Sequence, residues 1–289
     1  HVMDAMTQQV NDDVYAIGDV IEVNDFVDNT KTAVPLAWPA NRQARLVADH
    51  INNQIIKSSK LLGTSIIKLF DLTAASVGQN ESQLKQKNMP YQRIYALRNN
   101  HASYYPNAQP MYMKLLYRPD NGKIYGAQII GSEGVDKRID ILSTVMKTYG
   151  TVYDLSDLQL AYAPPYGSAK DPINILGYIA EDIKDEIYQP FFSSDVDALI
   201  SENHFFLDVR SKDEYDTGHI KTALNIPLDE LRERLDEIRV PKNHPVYVNC
   251  ESGTRSYLVI CILKSQGYTN LHNLVGGFSN YRFYKYLPF

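Results

Sequence analysis

Apolar positions along the chain fall into runs and stripes that predict alternating strands and helices. Residues 13–20 (DVYAIGDV) predict a buried strand. Ala44, Val47, Ala48 and Ile51 at helical spacing predict a helix over 40–53 with Pro39 in its first turn. Residues 65–77 read as one long strand, 82–87 as a short polar helix and 92–97 as a strand. Residues 110–117 and 123–130 form a predicted hairpin closed by Pro119-Asp120-Asn121-Gly122. Ile139, Leu142, Val145, Met146 and Tyr149 make the stripe of an amphipathic helix over 136–149. Ile175, Ile179 and Ile183 mark one face of a helix over 172–188. That order predicts a mixed sheet with helices on one face. Residues 189–194 read as a linker. Beyond it the strand Val246-Tyr247-Val248 runs into a polar loop and then an apolar helix from Tyr257 to Leu263.

Composition narrows the function classes. The chain has 289 residues, 44% hydrophobic and 22% charged, which suits two or three domains with substantial cores. A net charge of -5 argues against nucleic acid or an anionic membrane as main partner. No apolar run approaches the length of a membrane span, and the N-terminus carries no signal-peptide pattern. Two cysteines, Cys250 and Cys261, make neither a disulfide framework nor a metal site and fit a reducing, cytoplasmic setting. The 21 tyrosines suit interfaces or solvent-facing strands.

The chemistry concentrates at Cys250-Glu251-Ser252-Gly253-Thr254-Arg255-Ser256. A strand delivers one cysteine into a loop of small, polar residues. Gly253 can take backbone angles other residues avoid, and Ser256 is a candidate N-cap for the next helix. Inward N–H groups, the helix N-terminus and Arg255 all favour thiolate, the nucleophilic form. Cys261, by contrast, sits among Val259, Ile260, Ile262 and Leu263 and reads as a small buried hydrophobe. Residues 205–281 resemble a rhodanese domain. The resemblance is carried by Phe206-Leu207-Asp208-Val209-Arg210, Glu214, Gly218-His219-Ile220, Asn225-Ile226-Pro227, the Cys250–Arg255 loop and Val275-Gly276-Gly277. It implies a parallel sheet wrapped by helices and a cysteine that cycles through a persulfide. Protein phosphatases usually place five residues between cysteine and arginine; here there are four, which suits sulfane sulfur better. Glu251, beside the nucleophile, predicts weak use of small anions such as thiosulfate and a larger donor. Asp208 with Arg210 reads as a buried structural pair, and His219 as structural.

Upstream, the strand ending Ala16-Ile17-Gly18-Asp19 and the stretch Val34-Pro35-Leu36-Ala37 before a proline-headed helix resemble the second flavin-binding motif of FAD-dependent pyridine nucleotide-disulfide oxidoreductases. In that family the aspartate corresponding to Asp19 binds the ribityl chain of FAD, and the helix aims its N-terminus at the flavin ring. Residues 62–185 are similar to the dimerisation domain of the same enzymes, in the branch of coenzyme A-disulfide reductases and NADH oxidases. The matching residues are His101-Ala102-Ser103-Tyr104-Tyr105-Pro106, Ala161-Tyr162-Ala163-Pro164-Pro165-Tyr166-Gly167 and Lys170-Asp171-Pro172-Ile173-Asn174. The resemblance implies a homodimer in which two tyrosines, assigned to Tyr104 and Tyr162 with Tyr105 and Tyr166 as alternatives, assist thiol chemistry at the partner's cysteine. A phenol can donate to a departing coenzyme A thiolate.

No Gly-x-Gly-x-x-Gly loop follows a strand, and the redox cysteine of that branch has no counterpart. With His1-Val2-Met3 opening the chain, the expectation is the C-terminal part of a longer flavoprotein, without reductase activity of its own. The expected domains are a remnant of the FAD domain (1–55), the dimerisation domain (62–185, α+β) and an α/β rhodanese domain (190–289). The expected parent is an FAD- and NAD(P)H-dependent coenzyme A disulfide or persulfide reductase. An NADH oxidase parent, or a docking module with an inactive rhodanese domain, are the alternatives.

Overall fold

The computed structural model describes residues 9–11, 13–54 and 60–286, so the opening His1-Val2-Met3 lies outside the described residues. Two small ribbons come first, β1 (Gln9–Asn11) with β2 (Val14–Tyr15) and β3 (Val23–Asn24) with β4 (Lys31–Thr32), followed by helix α1 (Ala37–Ile51). The strand expected over 13–20 shrinks to the two residues of β2. Gly18, at φ 75°, bends the backbone into a short 3-10 turn, Gly18–Val20. Its apolar side chains are not buried: Val20 is 83% exposed. Helix α1 likewise buries Pro39, Gln43 and Leu46, whereas Ala44, Ala48 and Ile51 of the expected stripe face outward. The reason is local. The Gly18 N–H donates to Gln43 Oε1 at 2.7 Å, so the helix docks on the turn through its polar side.

The next unit comprises β5 (Ser65–Leu69), β6 (Leu72–Gly78), α2 (Glu81–Gln86), β7 (Gln92–Asn99), β8 (Pro110–Tyr117), β9 (Ile124–Gly131), α3 (Val135–Lys147) and α4 (Pro172–Lys184). The long strand expected over 65–77 is a hairpin, broken where Phe70 takes φ 54°. Sheet order is β5-β6-β9-β8-β7, and every pairing is antiparallel rather than mixed. Tight hairpins join β5 to β6 and β8 to β9, and such turns reverse the chain. Helices α3 and α4 cover one face, with Ile139, Leu142, Val145 and Met146 buried between α3 and the sheet. Tyr149 departs from that stripe. α3 ends at Lys147, and Tyr149, at φ 62°, is 78% exposed. Asp171 and Asn174 form a capping box that starts α4 at Pro172. α4 stops at Lys184, and its core face is Ile173, Leu176 and Ala180, with Ile175, Ile179 and Ile183 flanking it.

The last unit comprises β10 (Gln189–Phe191), α5 (Val196–Ser201), β11 (Phe205–Asp208), α6 (Lys212–Asp216), β12 (Leu224–Asn225), β13 (Val246–Asn249), α7 (Thr254–Ser265), β14 (Leu271–Leu274) and α8 (Gly277–Tyr286). Its sheet is parallel, in the order β10-β14-β13-β11-β12. The expected linker is thus partly structural, since β10 is the edge strand beside β14. The units pack directly. Arg93 of β7 lies over the Phe192 ring at 4.1 Å and donates to Ser194 Oγ, and Tyr112 meets Phe283 edge-on at 4.9 Å. Among the described residues no helix is long and apolar enough to cross a membrane.

Candidate active site

Strand β13 is buried at all four positions and ends one residue before Cys250, which is itself 1% exposed. The chain then turns through Gly253, whose φ of 102° places it outside the range comfortable for other residues. Helix α7 therefore begins at Thr254 with Gly253 as its cap, and Ser256 lies inside the first turn instead of capping it. This turn folds the Gly253 N–H back onto Cys250 Sγ at 3.1 Å. The Ser256 hydroxyl lies 3.4 Å from the same sulfur, 3.0 Å from Gly253 O and 2.7 Å from Asn273 Oδ1. The hydroxyl donates in all three directions in turn, its one proton shared among Cys250 Sγ, Gly253 O and Asn273 Oδ1. Asn273, on β14, is a partner the sequence did not announce. A second lock comes from Gly277, at φ 66°, where a Cβ would stand 2.4 Å from Glu251 O. That close approach lets the first amides of α8 hold the loop, Phe278 N–H to Cys250 O at 2.8 Å and Ser279 N–H to Glu251 O at 3.1 Å.

The charges around this loop are arranged differently from the expectation. Arg255 turns to Glu214, and two bonds of 2.6 Å join guanidinium and carboxylate. The hydrogen bond from Arg255 outweighs burial and holds Glu214 at about 2, and the same bond raises Arg255 above its usual value. Glu251 does not point its charge at the cysteine. Its carboxylate accepts from Ser279 Oγ and pairs with Arg210 at 3.3 Å. The expected repulsion of small anions thereby loses much of its source. Arg210 also clasps buried Asp208 at 2.8 Å and lies over Phe278 at 3.9 Å, the structural pair read from the sequence. His219 stacks on Tyr215 at 3.7 Å. The residue sequence reasoning missed is Arg98, on β7 of the preceding unit, which donates to Ser252 Oγ at 3.1 Å and Thr254 Oγ1 at 2.5 Å. No local motif could flag it, because 154 residues separate it from Ser252. Cys261 is exposed, not buried, since α7 turns its other face to the core.

Tyr104 and Tyr162 come together on the surface, their hydroxyls 2.9 Å apart. One phenol must donate to the other, which leaves the acceptor's own proton free to point outward. The hydrogen bond with Tyr104 raises Tyr162 above its usual value. Tyr105 packs edge-on against His101, and Tyr166 is exposed. The two loops that carry the pair are tied by Ala102 N–H to Gly167 O at 2.8 Å. They are also pinned by buried Arg138, which reaches Asn100 O and Asp171 Oδ2 at 2.8 Å each.

Gly18 and Asp19 form the turn against α1, with Asp19 exposed and Ala40 Cβ 3.6 Å from where a Gly18 side chain would begin. No side chain caps the first turn of α1, and no acidic residue stands there to neutralise its positive end. Pro35 is exposed, whereas Leu36 and Ala37 line a cavity of about 740 Å³ that extends to Ile139 and Ser143 on α3. An open helix N-terminus beside a free carboxylate fits one wall of a flavin site. The tyrosine pair, the α1 turn and the cysteine loop share no hydrogen bond or ion pair among the described residues, so they are three separate places on the chain.

Comparison with known proteins finds two matching domain families. Residues 64–171 match the pyridine nucleotide-disulphide oxidoreductase dimerisation domain, and residues 193–283 match the rhodanese-like domain. A coenzyme A disulfide reductase of Staphylococcus aureus (strain bovine RF122 / ET3-1) is 42% identical over 169 residues, 58% of this chain and 38% of that protein. The crystal structure of reduced Bacillus anthracis CoADR-RHD superposes with a TM-score of 0.87 at 48% identity, over 92% of this chain and 48% of that one. The structure of a NAD-dependent persulfide reductase from A. fulgidus gives 0.86 at 34% identity, over 96% of this chain and 50% of that one. The chain thus spans half or less of the length of each relative. It joins a pyridine nucleotide-disulphide oxidoreductase dimerisation domain to a rhodanese-like domain, in the same arrangement as those two structures.

Proposed function

We propose that this chain serves an FAD- and NAD(P)H-dependent coenzyme A disulfide or persulfide reductase, and that Cys250 carries sulfane sulfur within it. The observation that carries the reading is the Cys250 sulfur held by the Gly253 N–H at 3.1 Å at the N-terminus of α7. A donor persulfide, R–S–SH, presents its outer sulfur to the Cys250 thiolate. A new S–S bond forms at Cys250 as the donor's S–S bond breaks, and RS⁻ leaves. The loop amide and helix end stabilise the anionic sulfur before and after transfer. An acceptor thiolate then takes the outer sulfur and frees Cys250, with no net oxidation or reduction.

The reductase half of the reading rests on the tyrosine pair and the α1 turn. Tyr104 and Tyr162 offer one free phenol proton to a departing coenzyme A-type thiolate across a homodimer built on residues 62–185. The outward Ile66, Ile67, Leu69 and Phe70 of the β5-β6 hairpin give that dimer an apolar face to bury. FAD, when bound, supplies two-electron transfer from the nicotinamide. Asp19 would hold its sugar-like hydroxyls and the first-turn amides of α1 its ring, with Gly18, Pro35, Leu36 and Ala37 shaping the approach. The test is sulfur transfer to cyanide from coenzyme A persulfide and from thiosulfate, run beside Cys250→Ser. Activity with the persulfide that disappears in the variant is the expected result. If neither donor reacts and Cys250 never gains a sulfur by mass, the rhodanese-like domain is a docking module instead.

A further inference from the structure

We infer that the rhodanese-like domain's sulfur site is completed by the dimerisation domain, with Arg98 as the cationic wall that positions anionic sulfur species at Cys250. Three guanidiniums surround the loop, and they are not equivalent. Arg255 is engaged by Glu214, and Arg210 by Asp208 and Glu251. Arg98 has the Leu97 carbonyl and the hydroxyls of Ser252 and Thr254 as its partners, none of them a carboxylate. Among the described residues, its positive charge is therefore the one of the three not offset by a carboxylate at close range. The setting leaves the field of that charge little screened. Arg98 is largely desolvated, which disfavours its charged form, and the Cys250 sulfur is the group that opposes this loss. Attraction between a guanidinium and an anion is larger away from water. An arginine stays protonated in such a place.

The geometry also shows that this is a built contact. Gly276, at φ 82°, has no Cβ to meet Tyr95 Cβ, which lies 3.2 Å from where one would start, so β7 can press against the loop after β14. Between the domains remains a cleft of about 360 Å³ lined by Tyr95, Arg98, Lys170, Tyr178, Gly253 and Thr254. The charged groups that face the loop are then Arg98, Arg255 with Glu214, and Glu251 with Arg210; Lys170 and Asp182 stand further along the cleft. The site takes a thiolate, a persulfide anion or the anionic group of a sulfur donor, and Arg98 acts on it without itself forming a bond to sulfur. This inference rests on Cys250 as the sulfur-carrying residue.

The test is alkylation of Cys250 in the 289-residue chain by iodoacetate, an anion, and by neutral iodoacetamide of nearly the same size. Peptide-resolved mass spectrometry separates Cys250 from exposed Cys261. The ratio of the two rates reports the local potential, whereas loosening of the loop changes both rates together. Arg98→Ala is expected to lower the iodoacetate-to-iodoacetamide ratio about tenfold, Arg98→Lys to keep most of it, and Arg93→Ala, which removes a neighbouring interdomain contact, to leave it unchanged. An unchanged ratio in Arg98→Ala overturns the inference. So does a drop of equal size in Arg93→Ala, which would assign the effect to domain packing, or wild-type Cys250 that takes neither reagent. Because alkylation needs no sulfur donor, a shifted ratio without sulfur transfer would sink the proposed activity and leave Arg98 only as the source of the positive potential at Cys250.

Discussion

The cysteine loop and the tyrosine pair are opposite kinds of site. At Cys250 everything is internal. The sulfur is buried, its loop is tied from α7, α8, β14 and the neighbouring domain, and each nearby carboxylate has a cation. Tyr104 and Tyr162 present two half-free phenols on an open surface, 75% and 46% exposed, with only each other as hydroxyl partners among the described residues. The first is enclosed; the second is open, and under the proposed function it is half of a site that another surface completes. The same contrast separates β13, buried at every position, from the α1 region, where Val20, Trp38 and Ile51 stand open.

If this contrast is right, substitutions at the enclosed site cost stability, and those at the open site cost only chemistry. The largest effect is expected for Asp208→Asn, which strands the buried Arg210 guanidinium. Loss of about 3–5 kcal/mol in chemical denaturation would match a broken buried pair. A value under about 1 kcal/mol would show the loop to be less enclosed than its contacts suggest. An intermediate effect is expected at the cleft. Burial, with Glu181 and Asp185 nearby, pushes the Asp182 carboxyl up from its usual 3.8 to about 6. Between those values the folded state holds the extra proton, so stability falls as pH rises through that window. Asp182→Asn should remove this decline and raise stability at pH 8 by about 1–2 kcal/mol, after discount for partial exposure. Thermal melts at pH 4 and pH 8 read it out, and a decline that persists in the variant counts against the assignment. The smallest effect is expected for Tyr162→Phe, a stability change within about 0.5 kcal/mol. Under the proposed function its cost should instead appear as slower thiol release by the FAD-loaded reductase that this chain would serve. Marked unfolding in this variant would mean that the pair is a structural clasp.

Some of this was legible from sequence for physical reasons. Short-range rules carried the loop. The strand, Cys250, Gly253 and the helix lie within about twenty residues, and backbone chemistry there is local. Arg98 and Asn273 were not legible, because their roles exist only once distant strands are neighbours. Glu251 and Arg255 were visible as charges, but the directions they face depend on Arg210 and Glu214, which the fold supplies. The break at Phe70 was hidden within a continuous run of strand-forming residues; only the antiparallel register of β5 on β6 reveals it. In α1 the apolar stripe pointed the wrong way because burial there is decided by Gln43 meeting Gly18.

The segment between the domains has a last consequence. Gln189–Phe191 looked like a tether, yet it is hydrogen-bonded into the second domain's sheet as a parallel edge strand. To swing the sulfur loop toward a distant redox centre, the chain would have to strip that strand from β14, part Arg93 from Phe192 and release Arg98 from Ser252 and Thr254. Under the proposed function, traffic between the cysteine and the reductase would then fall to a diffusing or long-armed small molecule, with the two stations held still.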